Sequence, residues 1–392
     1  MKITLMSRGS GRAVRLAVAG CALLAVGAAG TPAPSTAPPD PLRASGTQVR
    51  LVEGAPEVPE VSALSWVVAD ARSGDVLAAH EAHRELPPAS TLKTLFALAL
   101  LPQVPAGRHR ATDAELAGVG EGSSLVGVEA GRDYAVDDLW RGVFLSSGND
   151  AVHVLSAMAG GKRAAVARMQ ATAERLGARD TRVVSPDGYD APGQVSSAFD
   201  LAVFGREGLR DPRFAEYCRT AVADFPGREG AYGIRNTNRL LTGAEGVEPY
   251  PGAIGVKNGY TSKAGNTLIA AAKRGGRTLV VTVLNPQDGS SGAVYEEARS
   301  LLDWGFRAAG RVRPVGSLEP PVAAGAPASP RPGPSAKPAT AAQVAASGQA
   351  DGLGWWTVAL AACAAALTAG GTAVGARRGW WRRGWWWRRG AR

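Results

Sequence analysis

The chain has 392 residues, enough for two or three average domains, but an ordinary mixture of apolar and charged residues covers only residues 61–311, and its 26 Pro and 10 Trp are concentrated elsewhere. The net charge of +10 is just as uneven. Lys2, Arg8, Arg12, Arg15 and seven arginines between 377 and 392 supply eleven of the 44 basic residues; the 33 that remain face 34 acidic ones, which excludes a nucleic-acid partner for the middle of the chain.

Basic residues, an apolar stretch over 13–29, small residues and then a Pro-rich run have the layout of a secretory signal peptide, taken as residues 1–30, and predict export. Val18-Ala19-Gly20-Cys21 also fits a lipoprotein cleavage pattern, but most of the apolar residues follow Cys21 rather than precede it. Residues 31–60 are rich in Pro, Ala, Ser and Thr without periodicity, as a disordered spacer would be. Short apolar runs over 63–69 and 76–79 flank Arg72-Ser73-Gly74-Asp75 and predict a hairpin. Helical spacing of apolar residues follows over 91–100, 136–145, 151–158 and 164–176. Strands return over 253–256, 267–272 and 278–284, the last two joined by Lys273-Arg274-Gly275-Gly276-Arg277, and an amphipathic helix over 294–306 closes the region.

No further folded β domain is expected beyond 311. Residues 312–353 read as a Pro/Ala-rich linker. The uncharged, Ala-rich stretch 354–376 is long enough to cross a hydrocarbon core of about 30 Å as a helix. Trp355 and Trp356 lie at one end, and Trp and Arg are interleaved over 377–392 at the other, as interfacial aromatics and a cytoplasmic basic tail would be. The expected organisation is an exported domain anchored in the cell membrane by its C-terminal helix. Cys218 is then the one cysteine of that domain, so it has no partner for an internal disulfide and reads as a small buried hydrophobe. The four histidines, 80, 83, 109 and 153, form no His-Glu-x-x-His pattern, and neither metal nor cofactor is expected.

Strands, then helices, then strands again argue for an α/β (α+β) fold: a sheet with helices packed on it and an inserted helical lobe. Three motifs carry chemistry along it. In Pro87-Pro88-Ala89-Ser90-Thr91-Leu92-Lys93 the prolines lead into a helix, placing Ser90 at its start and Lys93 on the same face. A serine hydroxyl needs a base to become nucleophilic, and a lysine amine serves when burial lowers its pKa. Ser147-Gly148-Asn149 lies between two helical patterns; a hydroxyl and an amide there can relay a proton and hold a substrate amide, although the tripeptide equally suits a helix stop and cap. Lys257-Asn258-Gly259-Tyr260-Thr261 ends an apolar strand, where a lysine can bind a carboxylate and glycine admits a close approach, although Asn-Gly is also a turn signal. Each motif is short and common. Their order, Ser-x-x-Lys, Ser-x-Asn, Lys-x-Gly, is that of penicillin-binding proteins and serine β-lactamases, and two of only seven lysines occupy the required places.

Over nearly all of 61–311 the sequence resembles the low-molecular-mass D-alanyl-D-alanine carboxypeptidases. The strand, turn and Pro-Ala-Ser of residues 65–93 carry the likeness, with Leu176-Gly177, Ser185-Pro186-Asp187-Gly188, residues 196–201, Asn236-Thr237-Asn238-Arg239-Leu240-Leu241, Gly259-Tyr260-Thr261 and Ala264-Gly265. The resemblance implies the β-lactamase/transpeptidase-like fold, with an antiparallel sheet flanked by helices. It implies Ser90 as acylated nucleophile, Lys93 as proton acceptor, Ser147 and Asn149 as aids to proton transfer and substrate holding, and Lys257 as receiver of the terminal carboxylate. The oxyanion hole would be the N–H groups of Ser90 and Tyr260. Implied partners are peptidoglycan stem peptides as substrate and β-lactam antibiotics as covalent inhibitors. One departure stands out: the family usually has Thr where this chain has Asn258, and an amide can hydrogen-bond a carboxylate but cannot act as a hydroxyl. A serine β-lactamase is the nearest rival, yet no Glu lies between Glu174 and Glu207 to activate a deacylating water. A non-catalytic peptidoglycan-binding module is the other, against which all five polar motif residues are intact.

Overall fold

The computed structural model describes residues 40–290 and 292–320. The expected signal peptide 1–30, membrane helix 354–376 and tail 377–392 lie outside the described residues. The chain opens with β1 (Thr47–Val49), β2 (Ala63–Asp70) and β3 (Asp75–His80). The long middle follows: α1 (Lys93–Leu100), β4 (Arg108–Arg110), α2 (Asp113–Leu116), β5 (Asp133–Ala135), α3 (Val136–Leu145), α4 (Asn149–Met158), α5 (Lys162–Arg175), α6 (Ala198–Gly208), α7 (Pro212–Arg219), the hairpin β6 (Val222–Gly227) and β7 (Gly230–Arg235), and α8 (Arg239–Thr242). It closes with β8 (Ala253–Thr261), β9 (Gly265–Arg274), β10 (Arg277–Pro286), α9 (Ala293–Ala308) and β11 (Gly316–Ser317).

The main sheet runs β1-β3-β2-β10-β9-β8, with β11 also paired to β3, and every pairing is antiparallel. Its two faces are both buried, so the alternation along β2 separates two cores rather than core from solvent. Val67 and Ala69 face the helical lobe with Leu95, Phe96 and Leu201, whereas Trp66 and Val68 face α9 with Leu301 and Trp304. Thr282, the one polar residue that β10 buries, donates its hydroxyl to Ala198 O at the start of α6. The α+β architecture and the inserted helical lobe expected from element order are present, and the predicted hairpin and closing strands fall on β2–β3 and β8–β10.

Both ends differ from expectation. Residues 40–60 were expected as spacer and 312–320 as linker, and neither is. β1 pairs Thr47 with His80, and β11 pairs Gly316 with Val76. Leu51 bridges Val312, and Trp304 donates its indole N–H to Pro56 O at 3.0 Å. Leu42, Val315 and Leu318 are buried in the core. The reason is that β3 would otherwise present a row of unpaired amides and carbonyls, and two short segments that cannot fold alone are fixed by completing it.

Candidate active site

Ser90 lies in a short 3-10 turn, Ala89–Leu92, that runs into α1. The turn is strained, with Ala89 at φ +49°, and it is clamped from two sides. Thr267 on β9 donates its hydroxyl to Pro88 O at 3.0 Å. Gly188 sits so close that a Cβ there would lie 2.0 Å from Ala89 O. Gly259 on β8 is as tightly placed: a Cβ would lie 2.6 Å from Ser90 N and 2.7 Å from Thr267 Oγ1. Any side chain at 259 would therefore fill the space beside the Ser90 amide, which is the reason the third motif needs glycine.

Lys93 donates from Nζ to Ser90 Oγ at 2.7 Å and to Asp187 O at 2.6 Å. Its side chain is buried, and burial lowers its pKa to about 8 against the opposing pull of Asp187 and Asp150. Asp187 keeps its charge although burial works against it, because His153 Nε2 lies 3.4 Å from Oδ2, Lys93 is nearby, and Ser185 and the Tyr189 amide donate to Oδ1.

The second motif turns between α3 and α4. Ser147 takes a left-handed conformation, φ +56°, and its buried hydroxyl has no hydrogen-bond partner among the described residues. Asn149 donates from Nδ2 to Ser123 Oγ at 2.9 Å, while its Oδ1 has no partner. Asp150 ties the second motif to the segment that follows Ser123: its buried carboxylate accepts the N–H groups of Val126, Gly127 and Val128 at 3.0, 2.7 and 2.8 Å. Removing it strands three amides, so Asp150→Ala is expected to cost about 3 kcal/mol in denaturant unfolding, and Asp150→Asn less.

The third motif is strand and not turn. Lys257 is buried and donates to Asn258 O at 2.8 Å, and burial together with the Lys93 charge lowers its pKa well below the ordinary value. Asn258 Oδ1 accepts from Thr237 Oγ1 at 3.0 Å. Tyr260 is exposed at the rim, and Thr261 donates to Asp190 Oδ1 at 2.8 Å, tying the end of β8 to the loop that carries Asp187. One cleft is lined by Ser90, Ser123, Asn149, Asp187, Tyr260 and Thr261. Of the residues read from sequence, Ser90, Asn149, Tyr260 and Thr261 line this cleft, Lys93 and Gly259 pack against Ser90, and Ser147, Lys257 and Asn258 are not among its lining residues. Sequence reading missed the work of Asp150, which directly follows the second motif, and of Asp187 and Thr237, which were noticed only as parts of a family likeness. Cys218 is buried, and burial raises its thiol pKa far above the ordinary value, as a small core hydrophobe requires.

A serine held against a buried lysine, on a turn between an antiparallel sheet and a helical lobe, defines a penicillin-recognising enzyme of the acyl-serine class. The family model described as D-alanyl-D-alanine carboxypeptidase matches residues 52–288, and the chain belongs to that family. It is 40% identical over 256 residues to the D-alanyl-D-alanine carboxypeptidase DacB2 of Mycobacterium tuberculosis, covering 64% of this chain and 85% of that one. With DacD of Escherichia coli the figures are 35% over 274 residues and 67% of each chain. Among solved structures, a D-alanyl-D-alanine carboxypeptidase from Mycobacterium tuberculosis superposes with a TM-score of 0.62 at 38% identity, over 68% of this chain and 99% of that one. Penicillin binding protein 6B from Escherichia coli gives 0.58 at 34%, over 66% and 82%.

Proposed function

We propose that Ser90 is the nucleophile with which this D-alanyl-D-alanine carboxypeptidase removes the terminal D-alanine of peptidoglycan stem peptides. The observation that carries the assignment is the 2.7 Å contact between Ser90 Oγ and a buried Lys93 whose pKa is close to 8. Lys93 Nζ, as neutral amine, takes the hydroxyl proton while Oγ attacks the carbonyl of the penultimate residue. The N–H groups of Ser90 and Tyr260 receive the oxyanion. The C–N bond breaks, and D-alanine leaves after its nitrogen gains a proton, a relay for which the buried, unpartnered hydroxyl of Ser147 is available. Asn149 holds the substrate amide. Water then hydrolyses the ester, and a β-lactam stops at that ester.

The reading extends to location. A signal peptide over 1–30 and a membrane helix over 354–376 would place the catalytic domain outside the cell membrane, with the basic tail 377–392 on the cytoplasmic side against anionic lipid. Protease treatment of intact cells tests this, since digestion should remove the domain and spare a C-terminal epitope tag.

The full chain in detergent should release one D-alanine per pentapeptide and accumulate a penicillin adduct seen by intact-mass spectrometry. Rapid penicillin turnover without peptide hydrolysis would instead make it a β-lactamase, and neither activity would leave a peptidoglycan-binding module.

A further inference from the structure

Burial strips Lys93 of its proton, and two carboxylates, Asp187 and Asp150, pull the other way. Asp150 is committed to the amides of Val126, Gly127 and Val128. Asp187 is placed differently. Its main-chain O receives Lys93 Nζ at 2.6 Å, its Oδ1 accepts from Ser185 and from the Tyr189 amide, and its Oδ2 faces His153 Nε2 at 3.4 Å. His153 stands on α4 one turn beyond Asn149, hence on the same face of the helix. Its side chain is only 9% exposed, and its Nε2 makes no aligned hydrogen bond among the described residues. The imidazole also borders a second cavity, which it lines together with Glu115 of α2, Ser156 of α4, Lys162 of α5 and Pro186, the residue before Asp187. Glu115 is already taken by His109 Nε2 at 2.8 Å and the Thr112 amide at 2.8 Å. The carboxylate left for His153 is Asp187. Around Lys93 itself, the remaining charged neighbour is Lys257.

We propose that His153 is a positioning residue of the acylation step: by facing Oδ2 it takes up part of the Asp187 charge, and so sets how strongly Asp187 holds the proton on Lys93. The inference rests on the reading of Ser90 and Lys93 as nucleophile and base. A base must be neutral before it accepts the Ser90 proton, and a carboxylate beside it favours the charged amine. After the transfer the same carboxylate steadies the ammonium. Asp187 therefore helps the second state at the expense of the first, and an N–H on its far oxygen moderates that pull without loosening the main-chain contact to Nζ.

The test is the rate of penicillin acylation against pH, using the full chain. His153→Leu fills the space, brings no donor and keeps water of the adjoining cavity away from Asp187. Its acidic limb should move up by about half to one pH unit, which lowers the rate about 3- to 10-fold at pH 7. His153→Gln, which can still offer an N–H, should return most of the limb toward its wild-type position. Asp187→Asn should move the limb down, and adding His153→Leu to it should change nothing further, because the carboxylate through which His153 acts is gone. Thermal unfolding shows which variants are folded at the assay temperature, and His153→Gln carries the test if His153→Leu is not. In a folded His153→Leu, a limb that stays in place or moves down overturns the proposal. So does a His153→Gln shifted upward by as much as half a unit, or a further shift from His153→Leu in the Asp187→Asn background. A wild type that forms no adduct at any pH sinks the Ser90–Lys93 reading instead.

Discussion

Ser90→Ala is expected to abolish the penicillin adduct and to reduce peptide hydrolysis by at least about 10⁴-fold, the scale seen when a hydrolase loses its nucleophile while keeping its binding groups. The substitution removes one oxygen from a turn that other contacts fix. Thr267 still reaches Pro88 O, Gly188 still packs on Ala89, and Lys93 still donates to Asp187 O. The thermal midpoint should therefore stay within a few degrees of wild type, so that the loss reports chemistry alone. An adduct that persists in Ser90→Ala would move the nucleophile elsewhere, with the unpartnered hydroxyl of Ser147 as the first place to look.

Lys93→Met is expected to cost about 10³-fold in acylation, within the range contributed by a positioned general base, and to leave the protein as stable as wild type or more so. The two outcomes share a cause. Burial lowers the Lys93 pKa from 10.5 to about 8, so folding disfavours its charged form. The group's folded pKa is depressed, so the stability it allows is full above the unfolded pKa of 10.5 and is lost as pH falls from there toward 8, by about 3 kcal/mol in all. Methionine of similar shape carries no such cost. The same value sets the rate profile: acylation should rise with pH through about 8 and be roughly a hundredfold below its plateau near pH 6, where about 1% of the amine is neutral. Differential scanning fluorimetry and penicillin acylation rates across that range check both. A flat rate profile from pH 6 to 9 would remove Lys93 from the role of base.

How much of this was readable in sequence follows from the physics of each part. The three motifs were legible because their order is specific and two of only seven lysines occupy the required places. The strands β9 and β10 were legible as long apolar runs joined by a Gly-Gly turn, whereas only the apolar start of β8, residues 253–256, was, because its second half carries the polar third motif. Helix α6 was not, since residues 198–206 are nearly all buried and a helix covered on all sides shows little periodicity. The hairpin β6–β7 was hidden for the opposite reason, being mostly exposed. Residues 40–60 and 312–320 have the composition of spacers, and only the hydrogen-bonding edge of β3, distant in sequence, turns them into structure. Asn258 looked like a weakened motif until Thr237, 21 residues earlier, was seen to hold it.

The position of β2 has a consequence for how the domain is made. It lies between β3, which follows it immediately, and β10, whose Leu284 pairs with Ser65. Its strand partner on one side is thus more than 200 residues away in the chain, and the edge beyond β3 waits for Gly316. A ribosome or a translocation channel that delivers the chain from its N-terminus presents most of the polypeptide before the sheet can close. Sheet pairings of such long range form slowly, so the emerging chain stays open while it is delivered. A nascent chain halted before residue 286 should remain protease-sensitive, and the Ser–Lys pair should become penicillin-reactive only after β8, β9 and β10 have all been released.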